Sequence, residues 1–239
     1  MSRPGDREGT PGPGPWLHQA LAVAGKDLRV EWRSRGRLVT TLFFALVVAV
    51  LFQFVLEPGP RLREAAPAAL WTSWLFAGLM QLGATFDRER RDGCLAGLCL
   101  APVSGSAVFA GKWLSGMALL FSVELLSLPV FLAFFGLESR GGVAALLLCV
   151  VAADAGFVAA GVLCAALTTG GGSRDLLLPV LVFPLAVPGV LAGARALDAV
   201  FRGPVGPAFW GAVKLAAGFD LLFLLAGAVL FRHILEAGE

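Results

Sequence analysis

Leu38-Val39-Thr40-Thr41-Leu42-Phe43-Phe44-Ala45-Leu46-Val47-Val48-Ala49-Val50-Leu51-Phe52-Gln53-Phe54-Val55-Leu56 is a run of 19 residues without one charged side chain. Coiled as an α-helix it spans about 28 Å, close to the roughly 30 Å of hydrocarbon in a bilayer. No soluble domain needs an apolar surface of that length on every face, so the run reads as a membrane helix. Five further stretches have the same character: Ala65–Phe86, Trp113–Phe135, Val143–Leu167, Leu176–Ala194 and Ala208–Phe231. The fifth span is also free of charge. The sixth is weaker, because it holds Lys214 and Asp220. Long unbroken apolar runs exclude a membrane β-barrel, whose strands alternate over short segments.

The whole composition points the same way. Of 239 residues, 57% are hydrophobic and 15% charged, and the mean hydropathy is +0.80. Soluble domains carry about 45–50% apolar and about 25% charged residues. That excess excludes a water-soluble enzyme and a disordered chain. Lys+Arg 19 against Asp+Glu 17 leaves a formal charge of +2, which is no footprint for nucleic acid.

The expected fold is an all-α integral membrane protein with six transmembrane helices and cytoplasmic N- and C-termini. Lys/Arg bias sets the orientation. With the N-terminus inside, thirteen basic residues fall in inner segments and five in outer loops, with Lys214 in the last span. Residues 1–15 read as a flexible Pro/Gly-rich tail without the apolar core of a signal peptide, so the first span is expected to be retained. Residues 38–239 read as a single six-span domain. Residues 16–37 read as an N-terminal interfacial amphipathic helix: Leu17, Leu21, Leu28 and Trp32 share a face, while Lys26, Arg29, Arg33 and Arg35 lie on the others. Such a helix lies in the interface, its apolar face against the bilayer and its cations near lipid phosphates.

Between spans two and three lies Phe86-Asp87-Arg88-Glu89-Arg90-Arg91-Asp92-Gly93-Cys94-Leu95-Ala96-Gly97-Leu98-Cys99-Leu100-Ala101-Pro102-Val103-Ser104. Asp87 stands at helical spacing from Arg90 and Arg91, Leu95 and Leu98 share a face, Gly93 permits a turn and Pro102 ends the helix. This reads as a short cytoplasmic coupling helix that inserts into a groove of a soluble partner. The plain alternative is a loop with a solvated charge cluster. The residues expected to carry the docking are Asp87, Glu89, Asp92, Gly93, Leu95, Leu98 and Pro102.

Within the membrane, span five carries Pro179, Pro184 and Pro188. Each removes a helix hydrogen bond and favours a kink, which suits a moving or substrate-lining element as well as a static bend. Glu124, Asp154 and Asp220 lie deep in spans three, four and six. Ionisable groups at that depth are functional candidates by default, though buried acids at helix contacts also occur. Pro184, Pro188, Glu124, Asp154 and Asp220 are therefore the candidates for substrate contact or gating.

Other chemistry is thinly supplied. The two histidines, His18 and His233, lie on the inner side near span ends, so neither a catalytic metal set nor an outer axial heme ligand is expected. No Gly-x-x-x-x-Gly-Lys-Ser/Thr loop is present, and ATP hydrolysis is not expected in this chain. Cys94, Cys99, Cys149 and Cys164 read as small apolar residues, without a zinc spacing or an expected disulfide.

Several motifs resemble one family over nearly the whole chain from about residue 20. Lys26-Asp27-Leu28-Arg29 with Arg33 is similar to that family's start, and Phe86–Leu95 resembles its acidic-Asp-Gly-small-Leu motif. Leu100-Ala101-Pro102, Gly111-Lys112-Trp113 and Leu126-Ser127-Leu128-Pro129 follow at its spacing, and Leu181-Val182-Phe183-Pro184-Leu185-Ala186-Val187-Pro188 resembles its Leu-Pro-Leu-x-x-Pro signature. The family is cytochrome c maturation protein B, also called heme exporter protein B. The sequence departs from it at Ala96, where the family often has Glu, and Glu124 and Asp154 lie outside its pattern.

The resemblance implies the membrane (permease) subunit of an ABC transporter in the bacterial inner membrane. It implies a CcmA-like ATPase subunit that binds the ATP. It also implies CcmC-like and CcmD-like heme-handling membrane subunits and a CcmE-like periplasmic heme chaperone. Heme would be cargo, with no cofactor or metal bound directly, and ATP hydrolysis would drive heme export or release of the loaded chaperone. Two other readings stay open on the residues alone. One is the permease of another ABC exporter, for a lipid, drug or peptide. The other is a membrane scaffold or intramembrane enzyme using Glu124, Asp154 and Asp220.

Overall fold

A computed structural model of the chain describes residues 15–55, 59–86, 89, 103–168 and 174–236. Regular structure among them is helical throughout: α1 (Trp16–Ser34), α2 (Gly36–Val55), α3 (Pro60–Gly83), α4 (Gly105–Phe135), α5 (Val143–Leu167), α6 (Arg174–Arg202) and α7 (Pro207–Glu236). Five of these, α2, α4, α5, α6 and α7, are long and apolar enough to cross a membrane. The chain is a multi-pass membrane protein.

The turn from α1 into α2 is made at one residue. Arg35 adopts the left-handed conformation (φ 46°), and its N–H closes on Glu31 O. Such a conformation costs a non-glycine residue energy, so something must hold it. Here the bridge from Arg37 to Glu31 spans the corner at 2.5 Å, and Arg37 also donates to Ala84 O at 3.1 Å, tying the corner to the end of α3.

The second expected span, Ala65–Phe86, is occupied by α3, which differs from the other five. Its 24 residues are long enough, but Trp71, Thr72, Ser73, Trp74 and Gln81 dilute its apolar character. Most of that polarity is turned inward. Ser73 and Trp74 are buried; Ser73 bonds Ala69 O, and Trp74 Nε1 donates to Ser127 Oγ of α4 at 3.0 Å. The helix packs against α2, α4, α5 and α6, so protein rather than lipid meets these groups.

Two other elements exceed their sequence expectation. α4 begins at Gly105, eight residues before Trp113, because Ser104 caps it by accepting from Ala107 N–H at 3.3 Å. α6 runs on to Arg202 and is not broken at any of its three prolines. Pro179, Pro184 and Pro188 all lie on its exposed side, while Val182, Ala186 and Gly189 face the bundle. The proline signature therefore does not line the interior of this chain.

α5 is the central helix: 61% of its apolar stretch is buried, against 17% for α2. The core divides along it into two apolar layers. One gathers Trp71, Trp74, Phe131, Phe135, Leu146, Leu197 and Phe209. The other gathers Leu82, Phe86, Phe109, Phe157, Val162, Leu178 and Phe231, toward the end that α1 covers.

Candidate functional site

At the α1 end of the bundle, four charged side chains from three parts of the chain meet. Lys26 and Asp27 come from α1, Glu89 from just beyond α3, and Lys112 from about two turns into α4. The Lys112 ammonium lies 2.6 Å from Glu89 Oε1 and 3.0 Å from Asp27 Oδ2. Lys26 lies 2.7 Å from the same Glu89 oxygen and 3.2 Å from Asp27 Oδ1. The third donor direction of Lys112 goes to Thr85 O at 2.9 Å, and its ammonium sits 4.9 Å from the centre of the Phe86 ring. Two lysines and two carboxylates make the group neutral.

Lys112 is 1% exposed and Glu89 6%, so their pair is buried, while Lys26, with 53% of its side chain exposed, closes the cluster from the rim. Burial alone would push the Glu89 carboxyl up. Lys112 and Lys26 outweigh it and hold the group down at about 2. Burial likewise opposes the charge on Lys26, and Glu89 with Asp27 outweigh that, leaving its ammonium above the usual lysine value. A depressed acid contributes stability above its unfolded value that is lost as pH falls through the folded one. The thermal-stability gap between wild type and Glu89→Gln is therefore expected to stay constant down to about pH 4.5 and to close as pH falls toward about 2. A gap that does not depend on acid would remove the cluster from the stabilising contacts.

A cavity of about 300 Å³ opens beside the cluster, walled by Lys26, Glu31, Arg37, Gln81, Glu89 and Lys112 among others. The close seating of α1 depends on Gly111. A methyl group there would lie 2.6 Å from Val23 Cβ and 2.7 Å from Ala20 O of α1, so only glycine lets the two helices meet and places Lys112 beneath Asp27.

The second constellation is in the membrane interior. Glu124 on α4 and Asp154 on α5 are 2% and 1% exposed. They face each other, with Asp220 of α7 within electrostatic reach of Asp154. Asp220 Oδ1 accepts the Gly156 N–H of α5 at 2.7 Å. All three acids sit at the seam between the two apolar layers, near the middle of their helices. Lys214 is exposed and takes no part.

The sequence singled out Glu89, Glu124, Asp154 and Asp220, and the structure brings the last three together. It also joins to Glu89 the motif residues Asp27 and Lys112, and Lys26, which the sequence placed among the cations on the polar faces of the first helix. Asp87, Asp92, Gly93, Leu95, Leu98 and Pro102 lie outside the described residues, as do Cys94 and Cys99. Cys149 and Cys164 are free and buried. Sequence reading missed Glu31 and Arg37, whose pairing depends on the left-handed corner between them. For Lys112 a signal existed: a lone lysine at the edge of a long apolar run needs an acid nearby.

The family model described as CcmB protein matches residues 18–237. The chain is similar to heme exporter protein B of Paracoccus denitrificans, 35% identical over 77% of this chain and 84% of that protein. It is similar to heme exporter protein B of Rhodobacter capsulatus, 33% identical over 82% of this chain and 89% of that protein. A third relative, heme exporter protein B of Bradyrhizobium diazoefficiens, is 29% identical over 90% of this chain and 98% of that protein. The matched span takes in α1, the charged cluster and every membrane helix, and the chain belongs to the CcmB family.

Proposed function

We propose that this chain is the membrane subunit of an ABC exporter complex of cytochrome c maturation, in the bacterial inner membrane. In this reading six helices cross the bilayer, α3 among them, both termini are cytoplasmic, and α1 lies along the inner surface. The chain is not itself catalytic. A CcmA-like ATPase docks on the segment 87–102 and carries the ATP. Partners of the CcmC, CcmD and CcmE kinds handle the heme, which is cargo or is released on the loaded chaperone.

The observation that supports this best is the four-charge cluster. Glu89 stands at the root of the 87–102 segment, and its carboxylate is clamped by Lys112 of α4 and Lys26 of α1. A push on that segment is thereby passed to the interfacial helix and to a helix crossing the whole bundle. Coupling also requires that the nucleotide states of the ATPase contact the segment differently. The family names support heme as the cargo, since relatives of this length are heme exporter protein B.

Leu95→Asp tests the docking. It places a charge on the apolar stripe expected to enter the ATPase groove. The variant is expected to fold and reach the membrane but to lose co-purification of the ATPase subunit. Full assembly with unchanged stimulation of hydrolysis would sink the reading.

A further inference from the structure

We infer that the groove between α1 and α4 is a seat for one anionic phospholipid. The groove encloses about 1350 Å³. Its apolar walls are Leu21 and Leu28 of α1 and Leu119 and Leu126 of α4, and Arg29 and Arg33 stand at its rim. The groove borders the ion-pair cluster and shares Lys26 with it, but that ammonium is already neutralised by Glu89 and Asp27.

Charge decides the sign of the occupant. α1 sorts its charges by face: Asp27 and Glu31 turn inward to Lys112 and Arg37. Arg29 and Arg33, one helical turn apart, are exposed. Among the described residues neither has an acidic partner. Two adjacent unneutralised guanidiniums over an apolar trough fit a phosphate carried on hydrocarbon, since arginine binds phosphate through a planar fork.

Dimensions decide for a lipid over a protein. From Ala118 to Leu126 the groove follows α4 for about 12 Å, most of the roughly 15 Å of hydrocarbon in one leaflet. Leu21 and Leu126 are 54% and 61% exposed, so the trough is uncovered by this chain and open sideways. An acyl chain lying along Leu119 and Leu126 puts its headgroup at the level of α1, where the arginines are.

The test uses the full chain in its complex, purified in mild detergent from membranes containing phosphatidylglycerol and phosphatidylcholine. Retained lipid is measured by mass spectrometry. Wild type is expected to retain phosphatidylglycerol in preference, by about fivefold for each arginine. Arg29→Gln/Arg33→Gln abolishes the preference, and Arg29→Lys/Arg33→Lys keeps most of it. Ala22→Phe and Ser122→Phe, on opposite walls, fill the trough without touching either arginine, and each is expected to lose the lipid. Equal retention of the two lipids by wild type overturns the proposal. So does undiminished phosphatidylglycerol in both filled variants, which would mean diffuse attraction to the surface. A disulfide between two copies through Ala22→Cys in membranes also overturns it, because a second chain would then cover the groove.

Discussion

Lys112→Met is expected to lower the thermal stability of the protein by about 3–5 kcal/mol, the cost of removing one partner from a buried ion pair. Methionine keeps most of the stem volume, so packing is little changed. What changes is charge: Glu89 and Asp27 are left with Lys26 alone, and Thr85 O loses its donor. The cluster passes from neutral to one net negative charge around a buried Glu89, which no rearrangement of the half-exposed Lys26 can neutralise. Lys112→Met/Glu89→Gln removes both members of the shortest contact and is expected to recover part of the loss, so the two changes are far from additive. Unfolding followed in detergent measures each variant. Arg202→Met breaks the exposed pair with Asp198 and is expected to leave the melting temperature unmoved. If Lys112→Met behaved like Arg202→Met, the cluster would be ornamental, and the coupling route through it would fall.

Gly156→Ala has the second large effect. The added methyl would collide with the Phe219 ring and lie 2.6 Å from Asp220 Oδ1. Two costs combine: overpacking, about 1–3 kcal/mol, and the hydrogen bond that Asp220 accepts from Gly156 N–H, about 0.5–1.5 kcal/mol. α5 and α7 must separate to make room, and they are in extensive contact along the bundle. Gly218→Ala is the control. It lies two residues from Asp220 on α7 and meets nothing within 4 Å. It is expected to leave unfolding unchanged, and equal loss in both variants would show that Asp220 is not seated on Gly156.

Much of the fold was legible because a bilayer punishes exposed polarity so heavily. Five of the six expected stretches are long apolar helices. The sixth, α3, has too much Trp, Ser and Gln for lipid, and its sequence cannot show that those groups face protein. The amphipathic helix α1 was legible from its spacing, down to the exposed Leu17, Leu21 and Trp32. The site was less so. Glu31–Arg37 and the Lys112 cluster join residues across a left-handed corner and across 23 residues or more of chain, and periodicity has no bearing on such pairs. The depth of Glu124, Asp154 and Asp220 could be read along each helix. Their meeting could not, since it depends on the relative rotation of three helices. The prolines of α6 show the converse: a prominent motif placed on the exposed face.

The corner at Arg35 also has a mechanical side. Lys26 and Asp27 lie about 13 Å along α1 from that corner, and Trp16 about 28 Å from it. A rigid rod pivoting at Arg35 therefore moves its far end, which Trp16 and Gln19 join to Ser106 and Ser104 at the start of α4, about twice as far as the point gripped by Lys112. The arrangement is a lever of the third class: fulcrum at the corner, effort at the ion pairs, travel delivered at Trp16. In the proposed coupling, a shift of a fraction of an ångström in Glu89 becomes a doubled stroke where α1 meets the start of α4.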